Sequence, residues 1–270
     1  MKLSQLAQNI LLGKNLEDKT IDFSSIEFDD FDCLEVPTRP GRSAQIAMSS
    51  KNAKFPKGHF NLDEKKAMAL NSFANHELLA VEMMACALLI YPHHTPELKQ
   101  FKKGILSTLK DEQKHLKLYV QRLNELGFEF GDFVLNDYFW RQMKLLKTPA
   151  QYLSVMALTF EAANLDFAFH YQQEFKKVDD FKTSEILGTV LKEEISHVSF
   201  GALYLNRLKG DKSLIEYYQS NLPGNLTPAR SKGQFFQASL RERAKLDQEF
   251  ISWIQSYQDD FTVTQRKEWK

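Results

Sequence analysis

Leu109-Lys110-Asp111-Glu112-Gln113-Lys114-His115-Leu116 returns further along the chain as Leu191-Lys192-Glu193-Glu194-Ile195-Ser196-His197-Val198. Each copy carries Glu-x-x-His, and helical residues three apart share a face with their side chains close together, so one helix can present both groups to one metal ion. A lone match of this length arises easily by chance. Two matches inside a common Leu-Lys-acidic-Glu-x-x-His-aliphatic frame do not read that way. The repeat also extends upstream, to His76-Glu77-Leu78-Leu79-Ala80-Val81-Glu82 in one half and Phe160-Glu161-Ala162-Ala163-Asn164-Leu165-Asp166 in the other. Both are Glu-x4-acidic within apolar, Ala-rich stretches that favour helix.

The spacing turns the motif into an architecture. Glu77 precedes Glu112 by 35 positions and Glu161 precedes Glu194 by 33. Between the first pair lies Tyr91-Pro92-His93-His94-Thr95-Pro96, where two prolines stop one helix and start the next. An antiparallel hairpin turning there sets Glu77 level with Glu112. A turn near Lys177-Val178-Asp179-Asp180 does the same for Glu161 and Glu194. Glu82 points about 140° around the helix from Glu77 and belongs to another face. The expected fold is therefore all-α, a four-helix bundle of two antiparallel hairpins joined by a long crossover. It offers Glu77, Glu112 and His115 from one hairpin and Glu161, Glu194 and His197 from the other. One Glu from each of two helices, with Glu-x-x-His from each of the other two, is the ligand inventory of a carboxylate-bridged dimetal site. Mixed carboxylate and imidazole donors suit iron or manganese. Metal-bound His commonly donates its second ring N–H to a carboxylate, which makes Asp111 the expected partner of His197 and Glu193 that of His115.

These residues resemble the ferritin-like superfamily. More narrowly, they resemble uncharacterised bacterial ferritin-like proteins catalogued only as a domain of unknown function, number four-five-five. Pro37-Thr38-Arg39-Pro40-Gly41-Arg42, Arg122-Leu123-Asn124-Glu125-Leu126-Gly127 and Gly131-Asp132-Phe133 leading to Trp140 carry the narrower likeness. So do the stretch from Phe160 to Asp166, Gly201 after the second His, and Asn225-Leu226-Thr227-Pro228-Ala229-Arg230, so that the likeness runs from about Pro37 to Trp253. It implies a fold and a metal site but no particular reaction. The doubled acidic-Glu-x-x-His pattern is more distantly similar to ribonucleotide reductase small subunits, diiron oxygenases and rubrerythrins, whose chemistries differ on one fold.

Composition sets the remaining bounds. The chain has 270 residues, 35 basic and 35 acidic, so no cationic surplus points to nucleic acid. Its two cysteines, Cys33 and Cys86, form no ligand cluster and favour a reducing compartment. No apolar run approaches the roughly 20 residues of a membrane span, and a cytoplasmic protein is expected. Residues 1–62 read as an N-terminal helix over 1–18, with Leu3, Leu6, Ile10 and Leu11 on one face, followed by an extended segment packed on the bundle. Residues 63–208 read as the bundle and 209–270 as a C-terminal helical extension of the same structural domain, with a last helix from about Ser231 to Tyr257. The aromatic crossover from Gly127 to Leu146 is expected to pack rather than float.

Further residues take two readings each. Glu82 and Asp166 read as salt-bridge partners before they read as additional acids behind the metal ligands. Tyr119, one turn after His115, resembles the redox tyrosine position of ribonucleotide reductase small subunits, although a core Tyr usually packs. Gly201 stands in the matching place after His197, where it either opens a way to one metal or allows close helix contact. His76 points away from Glu77, His93 and His94 are expected to be exposed, and Arg39, Arg42 and Arg230 read as surface ion-pair residues. The functional expectation is an oxidoreductase with two metals, iron with iron or manganese with iron, acting with dioxygen or peroxide on an unidentified substrate. A separate electron donor is expected, because no Cys-x-x-Cys pair supplies one in the chain. Iron oxidation and storage, or a non-catalytic bundle holding zinc or manganese, are the alternatives. No membrane or nucleic-acid partner is indicated, and no oligomeric state follows.

Overall fold

The structure is a computed structural model that describes residues 1–51 and 54–264. Positions 52–53 of the expected extended segment and 265–270 of the expected C-terminal extension lie outside the described residues. The chain is mostly helical and divides into two compact units, Met1–Lys144 and Leu145–Lys270.

In the first unit, α1 (Leu3–Leu12) and α2 (Leu16–Lys19) replace the single helix expected over 1–18. Asn15 and Asp18 form a capping box that starts α2, so the local caps favour two short helices over one. The predicted apolar face is right: Leu3, Leu6, Ile10 and Leu11 are all buried, at about 1.5–3 kcal/mol for each side chain of this kind. α3 (Asp63–Ile90) and α4 (Pro96–Glu125) form the first hairpin. Thr95 caps α4 by accepting from Leu98 N at 3.3 Å, with Pro96 in the first helical turn.

Among the described residues α3 is the one helix long and apolar enough to cross a membrane by length and composition, against the sequence reading that no run comes close. Alanine, leucine and methionine produce that run, and 89% of it is buried inside the fold. The polar residues of α3 serve the chain around it. Asn71 Oδ1 accepts from Gly131 N at 3.0 Å and Asn75 Nδ2 donates to Asn136 O at 3.0 Å, which ties the crossover to the hairpin. Gly131 holds φ 105, and a Cβ there would meet Gln45 O at 2.2 Å, so this position requires glycine. β1 (Met48–Ser49) and β2 (Leu135–Asn136) add a short parallel pair, with Met48 opposite Leu135, that periodicity did not disclose. Trp140 Nε1 donates to Thr38 O at 3.0 Å at the start of a 3-10 turn, Trp140–Leu145.

The second unit opens with one long helical run. α5 (Pro149–Val155) passes into a π-helix at Met156–Glu161 and continues as α6 (Ala162–Lys177). The turn sits where expected, with Asp179 at φ 59 and Asp180 capping α7 (Phe181–Leu208) by accepting from Thr183 N at 3.1 Å. α6 and α7 pair as the second hairpin. After α8 (Leu214–Asn221) the chain differs from expectation. In place of one helix over 231–257 come a 3-10 turn, Pro228–Ser231, then α9 (Ala238–Arg243), α10 (Gln248–Ser256) and α11 (Phe261–Thr264). Two features break the expected helix. Asp166 accepts from Gly233 N at 2.8 Å and Gln237 N at 2.7 Å, drawing 233–237 out of helix. Lys245 then adopts φ 64, and Asp247 caps a fresh start by accepting from Phe250 N at 2.7 Å. Phe235, within the helix expected over 231–257, is accordingly half exposed and stacks on His170.

Candidate metal centre

The first unit brings together three of its predicted ligands. Glu77 of α3, with Glu112 and His115 of α4, are all buried, and each offers a ligand atom within 4.8 Å of the others. His115 Nδ1 stands 4.0 Å from Glu77 Oε2 and 3.9 Å from Glu112 Oε1. The second unit gathers its predicted ligands less completely, with Glu161–His197 and Glu194–His197 as the close pairs. Glu161, at the end of the π-helix, and Glu194 and His197 of α7 are buried; Glu161 and His197 offer ligand atoms within 4.8 Å, and His197 Nδ1 is 3.5 Å from Glu194 Oε2.

Those separations set the chemistry. Two buried ion pairs elsewhere close tightly, Arg241 on Asp166 at 2.7 Å and Lys19 on Glu82 at 3.1 Å. Within each hairpin the imidazole and carboxylate atoms instead stand 3.5–4.0 Å apart at a similar degree of burial. Donors about 2.1 Å from a shared ion lie about 3 Å apart when adjacent and about 4.2 Å when opposite, so these separations are those of atoms able to share one ion. The donor set is hard oxygen with imidazole nitrogen, suited to divalent iron, manganese or zinc. Glu194 Oε2 is buried with no hydrogen-bond partner among the described residues, a costly state for a carboxylate unless a cation faces it. A buried group of Glu and His side chains here can hold a metal ion.

Asn164 belongs to this site and escaped the sequence reading. Its Nδ2 donates to Glu194 Oε1 at 2.9 Å, fixing one carboxylate oxygen while the other stays open. The signal was present: Asn164 lies three residues after Glu161 on the same helical face, where the first repeat has Ala80. The π-helix ahead of Glu161 left no trace in composition, because it is a change of register inside an apolar run. Asp111 and Glu193 are both half-buried. Tyr119 is buried with its ring 5.5 Å from Phe73.

Several other candidates have different work. Glu82 takes a bidentate contact from Arg42, with Nη2 to Oε2 at 2.7 Å and Nε to Oε1 at 3.0 Å, as well as the Lys19 contact. Arg42 is thus part of a buried ion cluster rather than a surface pair, and Gly41 N, donating to Leu11 O at 2.9 Å, holds this stretch against α1. Arg39 donates to Met48 O at 2.9 Å. Asp166 is held by Arg241, with Nη1 to Oδ1 at 2.7 Å and Nη2 to Oδ2 at 2.9 Å. His76 stacks on Phe139 at 5.0 Å. His93, expected to be exposed, is buried between Phe28 and Phe31. Its Nδ1 faces Lys102 Nζ at 2.9 Å and its Nε2 faces Asp29 O at 3.1 Å, since the segment after α2 folds over the hairpin turn. Burial pushes Lys102 down to about 8.

Gly201 is buried against the π-helix, where an added Cβ would lie 2.3 Å from Ala157 Cβ. Close contact accounts for the glycine. Gly201→Ala is expected to cost about 1–3 kcal/mol, the usual penalty of overpacking, and Ala157→Gly in the same chain to recover most of it. Thermal unfolding of the single and double variants checks this, and an unchanged Tm for Gly201→Ala would refute the packing account.

Residues 4–252 match the model of a family described as "Protein of unknown function (DUF455)". A relative from Haemophilus influenzae, described as "Uncharacterized protein", is 25% identical over 164 residues, covering 59% of this chain and 57% of its own length. The chain thus spans just over half of that relative. No solved structure matches.

Proposed function

The chain belongs to that family of unknown function, and from its two buried triads we propose that it is a dimetal carboxylate oxidoreductase of ferritin-like architecture, using iron with iron or manganese with iron. The observation that carries the reading is the pair of openings 3.5–4.0 Å wide between buried imidazole and carboxylate atoms, one in each hairpin. In this reading each hairpin would hold one ion, Glu77, Glu112 and His115 in the first and Glu161, Glu194 and His197 in the second, with one imidazole in each set. Four carboxylates balance the charge of two divalent cations, which is why a buried acidic cluster becomes stable once filled.

Bound iron or manganese would supply a redox centre for dioxygen or peroxide. The chain's own residues do the rest. Asn164 fixes one oxygen of Glu194 and leaves the other able to shift as charge changes. The ligand side chains are themselves buried, which keeps bulk water from them. Tyr119 is the nearest candidate along α4 for a redox side chain. With Cys33 and Cys86 both free thiols, the proposal places the protein in a reducing cytoplasm, with electrons arriving from a separate donor.

The test is metal analysis of protein purified without added metal, then anaerobic ferrous loading and exposure to dioxygen or peroxide. The expected result is two ions per chain and rapid oxidation without mineral growth. A large mineral core would establish storage instead, and stoichiometric zinc with no oxidation a structural site.

A further inference from the structure

Glu161 is flanked in sequence by two buried clamps, both supplied by the chain that comes after α7. On the near side, Thr159 lies inside the π-helix and is wholly buried. Its Oγ1 donates to Ser154 O at 2.8 Å and meets the Tyr218 hydroxyl of α8 at 2.8 Å. Ser154 O lies five residues before Thr159, and is the acceptor that π hydrogen bonding assigns to the Thr159 N–H. The side chain therefore reinforces the π register in particular. Tyr218 is itself fully buried. Burial holds its phenol far above the ordinary value, so it remains a neutral donor to Thr159.

On the far side stands Arg241 of α9, 1% exposed. Its Nη2 donates to Ala162 O at 3.0 Å, the carbonyl next after Glu161, to Asp166 Oδ2 at 2.9 Å and to Ser231 O at 2.9 Å. The Phe236 ring covers its guanidinium at 4.0 Å. One extra residue in a turn rotates the downstream side chains by about 100° relative to a regular helix. Relaxation of the π-helix would thus carry Glu161 away from His197.

We propose that the segment after α7 is a brace, acting through Tyr218 and Arg241, that holds the helix at Glu161 in its π register and so sets where that carboxylate meets the metal. The metal role of Glu161 rests on the dimetal reading above; the register role does not. Tyr218 and Arg241 are positioning residues, remote from the ions but fixing the helix that supplies one ligand. The regular alternative, α-helix throughout, needs neither hydroxyl, and valine and phenylalanine would fill the same space without burying polar atoms.

The experiment uses the full chain with Tyr218→Phe and Thr159→Val. Thr159→Ser keeps the hydroxyl, and Phe250→Leu disturbs packing beside Tyr218, whose ring is 5.4 Å away, without touching the clamp. Amide hydrogen exchange is read on metal-free protein and Co²⁺ titration, by absorption, on the same samples. Tyr218→Phe and Thr159→Val are expected to accelerate exchange over residues 154–162 about ten-fold or more relative to α3. They should also weaken one Co²⁺ equivalent by about ten-fold, the lower end of effects from residues that orient ligands. Thr159→Ser and Phe250→Leu should keep both properties, Phe250→Leu at a lower Tm. Wild-type exchange in Tyr218→Phe and Thr159→Val, or the same acceleration in Phe250→Leu, would overturn the brace. A wild-type chain that binds no Co²⁺ would sink the dimetal reading alone, because exchange over 154–162 still decides the register.

Discussion

Metal analysis of His115→Ala and His197→Ala is expected to return one ion per chain from each variant, against two from the wild type. Each imidazole is the one nitrogen donor in its triad, and its Nδ1 faces the carboxylates across the opening: Glu77 and Glu112 for His115, Glu194 for His197. Losing a residue that merely orients a ligand costs about 10–100-fold in metal affinity, so loss of the ligand itself should exceed about 100-fold at that position. The remaining triad keeps its own three donors and its ion. Helical content should hold, because both histidines lie mid-helix on faces where alanine is a better helix former. The double variant should bind no ion. Circular dichroism and elemental analysis on the same samples check this, and unchanged stoichiometry in both single variants would defeat the ligand assignment.

Glu82→Ala is expected to lower unfolding free energy by roughly 3–5 kcal/mol, the cost of breaking a buried ion cluster by removing one sign of charge. Glu82 is the carboxylate shared by Lys19 and Arg42, with all three side chains at 3% exposure or less. Burial pulls Lys19 below its ordinary value and the Glu82 carboxylate opposes that shift, so without Glu82 the ammonium is left in an apolar setting. Lys19 Nζ would keep its bonds to Ile10 O at 2.8 Å and Leu11 O at 3.3 Å, which limits the loss. Lys19→Met should cost less, because Arg42 still answers Glu82. Urea unfolding with a two-state fit measures both. A Glu82→Ala curve within about 1 kcal/mol of wild type would show that the cluster contributes little. Metal content of the folded variant should be unchanged, since Glu82 leaves α3 on another face from Glu77.

The hairpins were readable because helix phase and helix ends are local properties. Pro92, Pro96 and Thr95 bound one turn, and Asp180 caps the helix after the other, each through contacts within a few residues. The same locality explains what the sequence could not disclose. The break at 233–237 depends on Asp166, nearly seventy residues back, receiving two backbone N–H groups. His93 became buried because residues 28–31 fold over it. No periodicity within the turn carries that information.

The site divides along the same line. The repeated Glu-x-x-His and the matched upstream Glu residues by themselves pointed to the buried Glu and His side chains that gather on the hairpins, Glu77 with Glu112 and His115 in the first. They do so because three-residue spacing on a helix and equal arms about a turn leave little freedom. Only the tertiary structure decided how they are held: the π-helix that ends at Glu161, Asn164 on Glu194, the clamps from Tyr218 and Arg241, and the openings of 3.5–4.0 Å. The reason is physical. A helix face is fixed by backbone geometry, whereas register shifts, buried ion pairs and unclosed polar gaps are settled by partners distant in the chain, whose desolvation has to be balanced one contact at a time.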